Sequence, residues 1–114
     1  MIHLKFNRPA RPQILSLIFQ GGFVGTACSV HVSFYSLREE GIVEGKWKLL
    51  TTLYPEDENC RQEFELPEKE NEYVAEMKLS FNESSDFFGR VTIYGLFLRG
   101  SWADMSIKPS EAND

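Results

Sequence analysis

A chain of 114 residues, 42% hydrophobic and 25% charged, has the make-up of one ordinary globular domain. Folding at this size buries roughly two-thirds of the unfolded surface, so a core needs no disulfide or metal staple. Twelve Lys and Arg against 17 Asp and Glu leave a net charge of −5, which argues against a protein whose main task is to neutralise nucleic-acid phosphates. No apolar run approaches the roughly 20 residues of a membrane helix, and the first residues lack the basic-then-apolar order of a signal peptide. The expectation is a soluble, acidic, single-domain, intracellular protein.

Ile2, Leu4 and Phe6 alternate with His3 and Lys5, which predicts a short strand at the start of the chain. Pro9 and Pro12 then predict a break across residues 7–12, because proline gives a ladder no N–H. Residues 13–20 are apolar on both faces, as in a covered central strand, and Gly21-Gly22 ends them. Cys28, Val30, Val32 and Phe34 alternate with Ser29, His31, Ser33 and Tyr35 and form the cleanest half-buried strand, with His31 facing solvent. Residues 37–45, charged and bounded by glycine, read as a surface hairpin loop or one helical turn.

Residues 46–54 resume period two, with Trp47, Leu49, Thr51 and Leu53 assigned to one side. An acidic turn at 54–59, a short strand at 62–66 and a charged loop at 67–72 follow. Residues 73–81 place Tyr73, Ala75, Met77, Leu79 and Phe81 on one face; 82–89 is a loop and 90–99 the last long strand. Residues 101–114 lose periodicity and read as a poorly ordered tail to a domain spanning 1–100. Asn82-Glu83-Ser84 has the form of a glycosylation site, but in an intracellular chain it reads as a polar turn. Seven or so short strands with no sustained helical period specify an antiparallel, all-β sandwich.

Catalytic groups are scarce. His3 and His31 are the only histidines, both lie within strands, and no glycine-rich loop leads into a helix. Cys28 and Cys60 lack the spacing of a zinc site and read as reduced thiols. No enzyme activity, metal or cofactor is expected. Three loops carry residues suited to binding a partner: Gln20 and Phe23 around the double glycine, Tyr54, Glu56 and Asp57 in the acidic turn, and Asp86, Phe87, Phe88 and Arg90 in the last loop. Loop aromatics add large contact area when a partner covers them, or else fold back to cap the sandwich. Asp86 and Arg90 read as an ion pair within their loop.

The stretches Ile18-Phe19-Gln20-Gly21-Gly22-Phe23, Leu53-Tyr54-Pro55-Glu56-Asp57-Glu58-Asn59 and Ser85-Asp86-Phe87-Phe88-Gly89-Arg90-Val91-Thr92-Ile93-Tyr94 resemble a nuclear-receptor-associated member of the discoidin and coagulation-factor C-domain group. The resemblance runs from about Leu4 to Gly100. It implies a galactose-binding-like jelly-roll sandwich and a non-enzymatic nuclear module that represses transcription by binding an orphan nuclear receptor. It transfers no residue-level site. Discoidin-like domains carry a further segment before the strand matched by residues 2–6, which implies either a shortened isoform or an incomplete sequence here, with an exposed edge and a route to self-association. Residues 37–45 have no counterpart in the resemblance. The alternative reading is a sandwich that binds a carbohydrate or other small ligand at its loops.

Overall fold

A computed structural model describes residues 1–38, 41–68 and 72–102, with the backbone alone over 36–38 and 41–46. The described residues form six antiparallel strands and no helix: β1 (Ile2–Phe19), β2 (Gly25–Arg38), β3 (Gly41–Leu53), β4 (Arg61–Glu65), β5 (Val74–Ser84) and β6 (Ile93–Trp102). Their order is β3-β2-β5-β1-β4, with β6 also on β1.

The long β1 determines this arrangement. Residues Ile2 to Lys5, and then Ala10, pair with β5. Residues Ile14 to Ile18 pair with β4, and residues Ala10 to Phe19 pair with β6. Ala10 faces both Val74 and Trp102, so β5 and β6 lie on opposite edges of β1. One edge therefore holds β5 and then β4 in succession, while the other holds β6 along its second half.

The expected break at residues 7–12 is corrected by this pairing: β1 runs on through both prolines. Pro9 sits where the β5 register shifts, between Lys5 and Ala10. Pro12 sits after the last β5 partner and before the first β4 partner, next to a shift in the β6 register. Missing N–H groups are tolerated at such irregularities. Opposite Pro12, Gly100 lies against the backbone of Arg11 and Pro12, where a Cβ has no room.

Beyond the prolines the sheet curls over itself. Leu15, Leu17 and Phe19 of β1 meet Cys28, Val30 and Val32 of β2 and Met77 and Leu79 of β5 in one buried cluster, with Val24, Leu53, Leu66 and Val74 around it. The Phe19 and Phe81 rings pack edge to face, 5.9 Å apart, although Phe19 lies beyond the part of β1 that pairs with β5.

Four further expectations change. The hairpin loop expected over residues 37–45 is mostly strand: β2 reaches Arg38 and β3 starts at Gly41, the two residues being paired, while Glu39 and Glu40 lie outside the described residues. Trp47, Leu49, Thr51 and Leu53 do not share a face. Val30 pairs with Thr51 and His31 with Leu49, so Leu50 is an extra residue that flips the alternation. Leu50 and Leu53 pack in the core, whereas Leu49 is 58% exposed and Trp47 37%.

Asn82-Glu83-Ser84 ends β5 and forms no turn, the Asn82 amide donating to Ser29 Oγ at 2.6 Å. The last strand starts at Ile93 and takes in Ser101 and Trp102; residues 103–114 lie outside the described residues.

Leu17 is fully buried where β4, β1 and β6 meet the core. Leu17→Ala will cost about 2–5 kcal/mol of stability, read as a lower denaturant midpoint with an unchanged slope.

Candidate functional site

Residues 20–24, 54–60 and 85–92 connect strand ends on one side of the curled sheet, and backbone bonds tie them together. Gly22, at φ 86°, gives a conformation that a Cβ would strain, and Phe23 N–H closes the turn onto Gln20 O at 2.9 Å. The two glycine N–H groups donate across to the acidic turn, Gly21 to Asn59 Oδ1 and Gly22 to Asp57 Oδ1, the latter at 2.8 Å. On its other side the same turn bonds the last loop. Gln20 N–H donates to Thr92 O at 3.0 Å, Thr92 N–H to Phe23 O at 2.9 Å and Ser85 N–H to Val24 O at 2.9 Å. The Tyr94 hydroxyl adds a bond to Gln20 Oε1 at 3.1 Å.

Asp86 organises the last loop. Its Oδ2 accepts from Phe88 N–H at 3.1 Å, Arg90 N–H at 3.0 Å and Arg90 Nε at 2.9 Å, while Oδ1 accepts from Arg90 Nη2 at 3.1 Å. The expected ion pair is thus present and two-pronged, a geometry that fixes direction as well as distance. Ser84 Oγ donates to Arg90 O at 2.6 Å and accepts from Asp86 N–H at 3.0 Å, closing the base of the loop.

The Arg90 guanidinium lies 5.2 Å from the Phe23 ring centre and 5.5 Å from that of Phe88. Phe23 is half-buried in this arrangement. Phe87 and Phe88 do not fold back: they are 93% and 76% exposed, edge to face with ring centres 5.2 Å apart.

Of the nine residues singled out from sequence, Gln20, Phe23, Asp57, Asp86, Phe88 and Arg90 are joined by these contacts. Phe87 stands against Phe88 at the tip. Glu56 is held through its backbone, its N–H donating to Gln62 Oε1 and its carbonyl accepting from Gln62 Nε2, both at 2.8 Å. Tyr54 is 70% exposed on the strand side of the acidic turn. Sequence reasoning missed Asn59, Ser84, Ser85 and Thr92, which hold the loops together. Ser84 and Ser85 carry the signal of short polar residues where a strand gives way to a loop, whereas nothing local marks Asn59 or Thr92. Among the described residues no group of three or more His, Cys, Asp and Glu side chains is placed to hold a metal ion.

No family profile matches the chain. Curated proteins do match it. The nuclear receptor 2C2-associated protein of Danio rerio is 33% identical over 97 residues, which is 85% of this chain and 62% of that protein. The protein of the same name from Xenopus laevis is 36% identical over 87 residues, 75% of this chain and 55% of the relative. The Homo sapiens protein is 34% identical over 99 residues, 87% of this chain and 63% of the relative. The chain is a homologue of these proteins. It spans less than two thirds of their length.

The cysteines occupy opposite settings, and both are free. Burial in the core pushes the Cys28 thiol up to about 11. Cys60 is exposed, and its hydrogen bond to Glu58, 3.0 Å long, raises its pKa as well. A thiol reagent at neutral pH will label one cysteine slowly in the folded chain, and a Cys60→Ser variant will take label only on unfolding.

The Arg90 side chain, and then the Arg90 backbone N–H, hold the Asp86 carboxyl down to about 2. A carboxyl lowered by folding stabilises above its unfolded value, near 3.8, and loses that stabilisation as pH falls toward 2. Amide signals of Phe88 and Arg90 in a pH titration will therefore stay constant from pH 7 to about 4 and move together below it. Asp86→Asn will shift them already at pH 7.

Proposed function

We propose that the chain is a non-enzymatic protein-interaction module of the discoidin-like jelly-roll type that binds a nuclear receptor and represses receptor-mediated transcription in the nucleus. The observation that carries this reading is the loop end. Two phenylalanines project into solvent from a loop that Asp86, Arg90 and Ser84 hold rigid. Exposed aromatics on a fixed scaffold lose little freedom on binding and bury much area, which is the character of an interface hot spot. The name that the homologues carry supports a receptor as the partner, and the curled antiparallel sheet with its two halves packed together supports the jelly-roll reading.

A sugar-binding role at the same loops is the weaker alternative. The Phe87 and Phe88 planes stand at 87° to each other, so they make no common flat platform for a sugar ring.

Co-precipitation of nuclear receptor 2C2 with the purified chain tests the proposal. The unaltered chain will retain the receptor, and Phe87→Ala/Phe88→Ala will weaken retention about thirtyfold while leaving the thermal midpoint unchanged. No association of the unaltered chain with the receptor overturns it.

A further inference from the structure

The loop end combines its two exposed rings with an unpaired acidic rim. Residues 20–24, 54–60 and 85–92 carry Glu56, Asp57, Glu58 and Asp86 against Arg90 alone. Asp86 and Arg90 neutralise each other, so the surplus lies wholly in the acidic turn. Glu56, Asp57 and Glu58 are exposed, and no described cation forms an ion pair with any of them. Arg61, the next base along the chain, has its charge engaged elsewhere. Its guanidinium lies 4.6 Å over the Phe97 ring, with Nε 3.7 Å from Glu63. The chain leaves the described residues after Arg38, Glu68 and Trp102, each at or beyond a strand end opposite these loops.

The acidic turn is held as firmly as the aromatic tip. Gly22 N–H donates to Asp57, Gln62 brackets the Glu56 backbone, and the Cys60 thiol donates to Glu58. Phe23 and Arg90 stand between turn and tip, so the acids and the two phenylalanines belong to one face. Like charges fixed side by side repel one another, and a partner's cations remove that repulsion. A face of this kind is repelled by a phosphate-bearing surface and matched by a basic one.

We propose that this face docks on a basic surface of a partner protein, whose Lys or Arg side chains meet Glu56, Asp57 and Glu58 while Phe87 and Phe88 enter an apolar recess beside them. The inference rests on the protein-binding reading above and adds the chemistry of the partner's surface. The two parts of the face divide the work. Exposed charges act at long range and set the association rate, whereas the rings, once buried, set the dissociation rate.

Binding kinetics of the full chain on immobilised nuclear receptor 2C2 give the test. Raising salt from about 0.1 M to about 1 M shortens the screening length from about 10 Å to about 3 Å. That change will slow association at least about tenfold and leave dissociation within about threefold. Glu56→Lys/Glu58→Lys will slow association as much at low salt with an unchanged thermal midpoint, and Glu56→Gln/Glu58→Gln will slow it less. Phe87→Ala/Phe88→Ala will instead speed dissociation. Receptor binding that either salt or the charge reversal fails to slow overturns the inference and leaves the receptor reading standing. If the receptor does not bind, that reading falls, and an amide-resolved titration with the peptides KLKFKLK and ELEFELE decides the inference. Perturbation of residues 54–60 and 85–90 by the basic peptide alone supports it, and any other pattern overturns it. Binding to vesicles of phosphatidylcholine and phosphatidylserine through Phe87 and Phe88 overturns it as well.

Discussion

The structure depends on one strand serving three others. β1 carries β5 and β4 in turn along one edge and β6 along the other, so its path sets where every remaining element can lie except β2 and β3, which follow from β5. The change of partner falls at Pro12, between Ala10 on β5 and Ile14 on β4, and Pro9 marks the register shift just before it; neither proline has an N–H to offer a neighbour. The regular ladder is interrupted there, and such irregularities let a sheet bend. With the curl, Leu15, Leu17 and Phe19 come to face β2 and β5, and burial of these apolar side chains supplies the main stabilisation.

That same curl brings together three loops distant in sequence. Gly21 and Gly22 follow directly from β1, the acidic turn precedes β4, and the Asp86 loop leads into β6, so all three hang on partners of β1. Their mutual hydrogen bonds use backbone N–H groups that a loop otherwise leaves to water. Phe87 and Phe88 are consequently exposed and positioned at once. An exposed apolar side chain on a loose loop would have to be ordered on binding; here Asp86 has already ordered its backbone.

Much of this was legible in the sequence. Period-two runs located most strands, and glycine, proline and acidic clusters located the loops, because side-chain alternation and turn chemistry are local properties. Local reasoning failed where a neighbour decided the outcome. Proline at residues 9 and 12 ends a strand only if a partner needs its N–H, and which partner lies alongside is a matter of topology. Leu50 looked like one more residue in an alternating run, yet a bulge turned it inward and left Trp47 and Leu49 outside. Glycine-bounded charge at 37–45 reads as a hairpin loop, but pairing between Arg38 and Gly41 extends both strands into it. For the candidate site, the aromatic and charged residues were visible one loop at a time. Their convergence was not, since Asn59 and Asp57 reveal their role only beside Gly21 and Gly22.

The most direct test of the account is an amide-resolved NMR titration of the chain with nuclear receptor 2C2. Signals of residues 20–24, 54–60 and 85–92 will broaden or shift together while those around Trp47 and Leu49 stay unchanged. Perturbation confined to the Trp47 and Leu49 face, with the three loops unaffected, would contradict it.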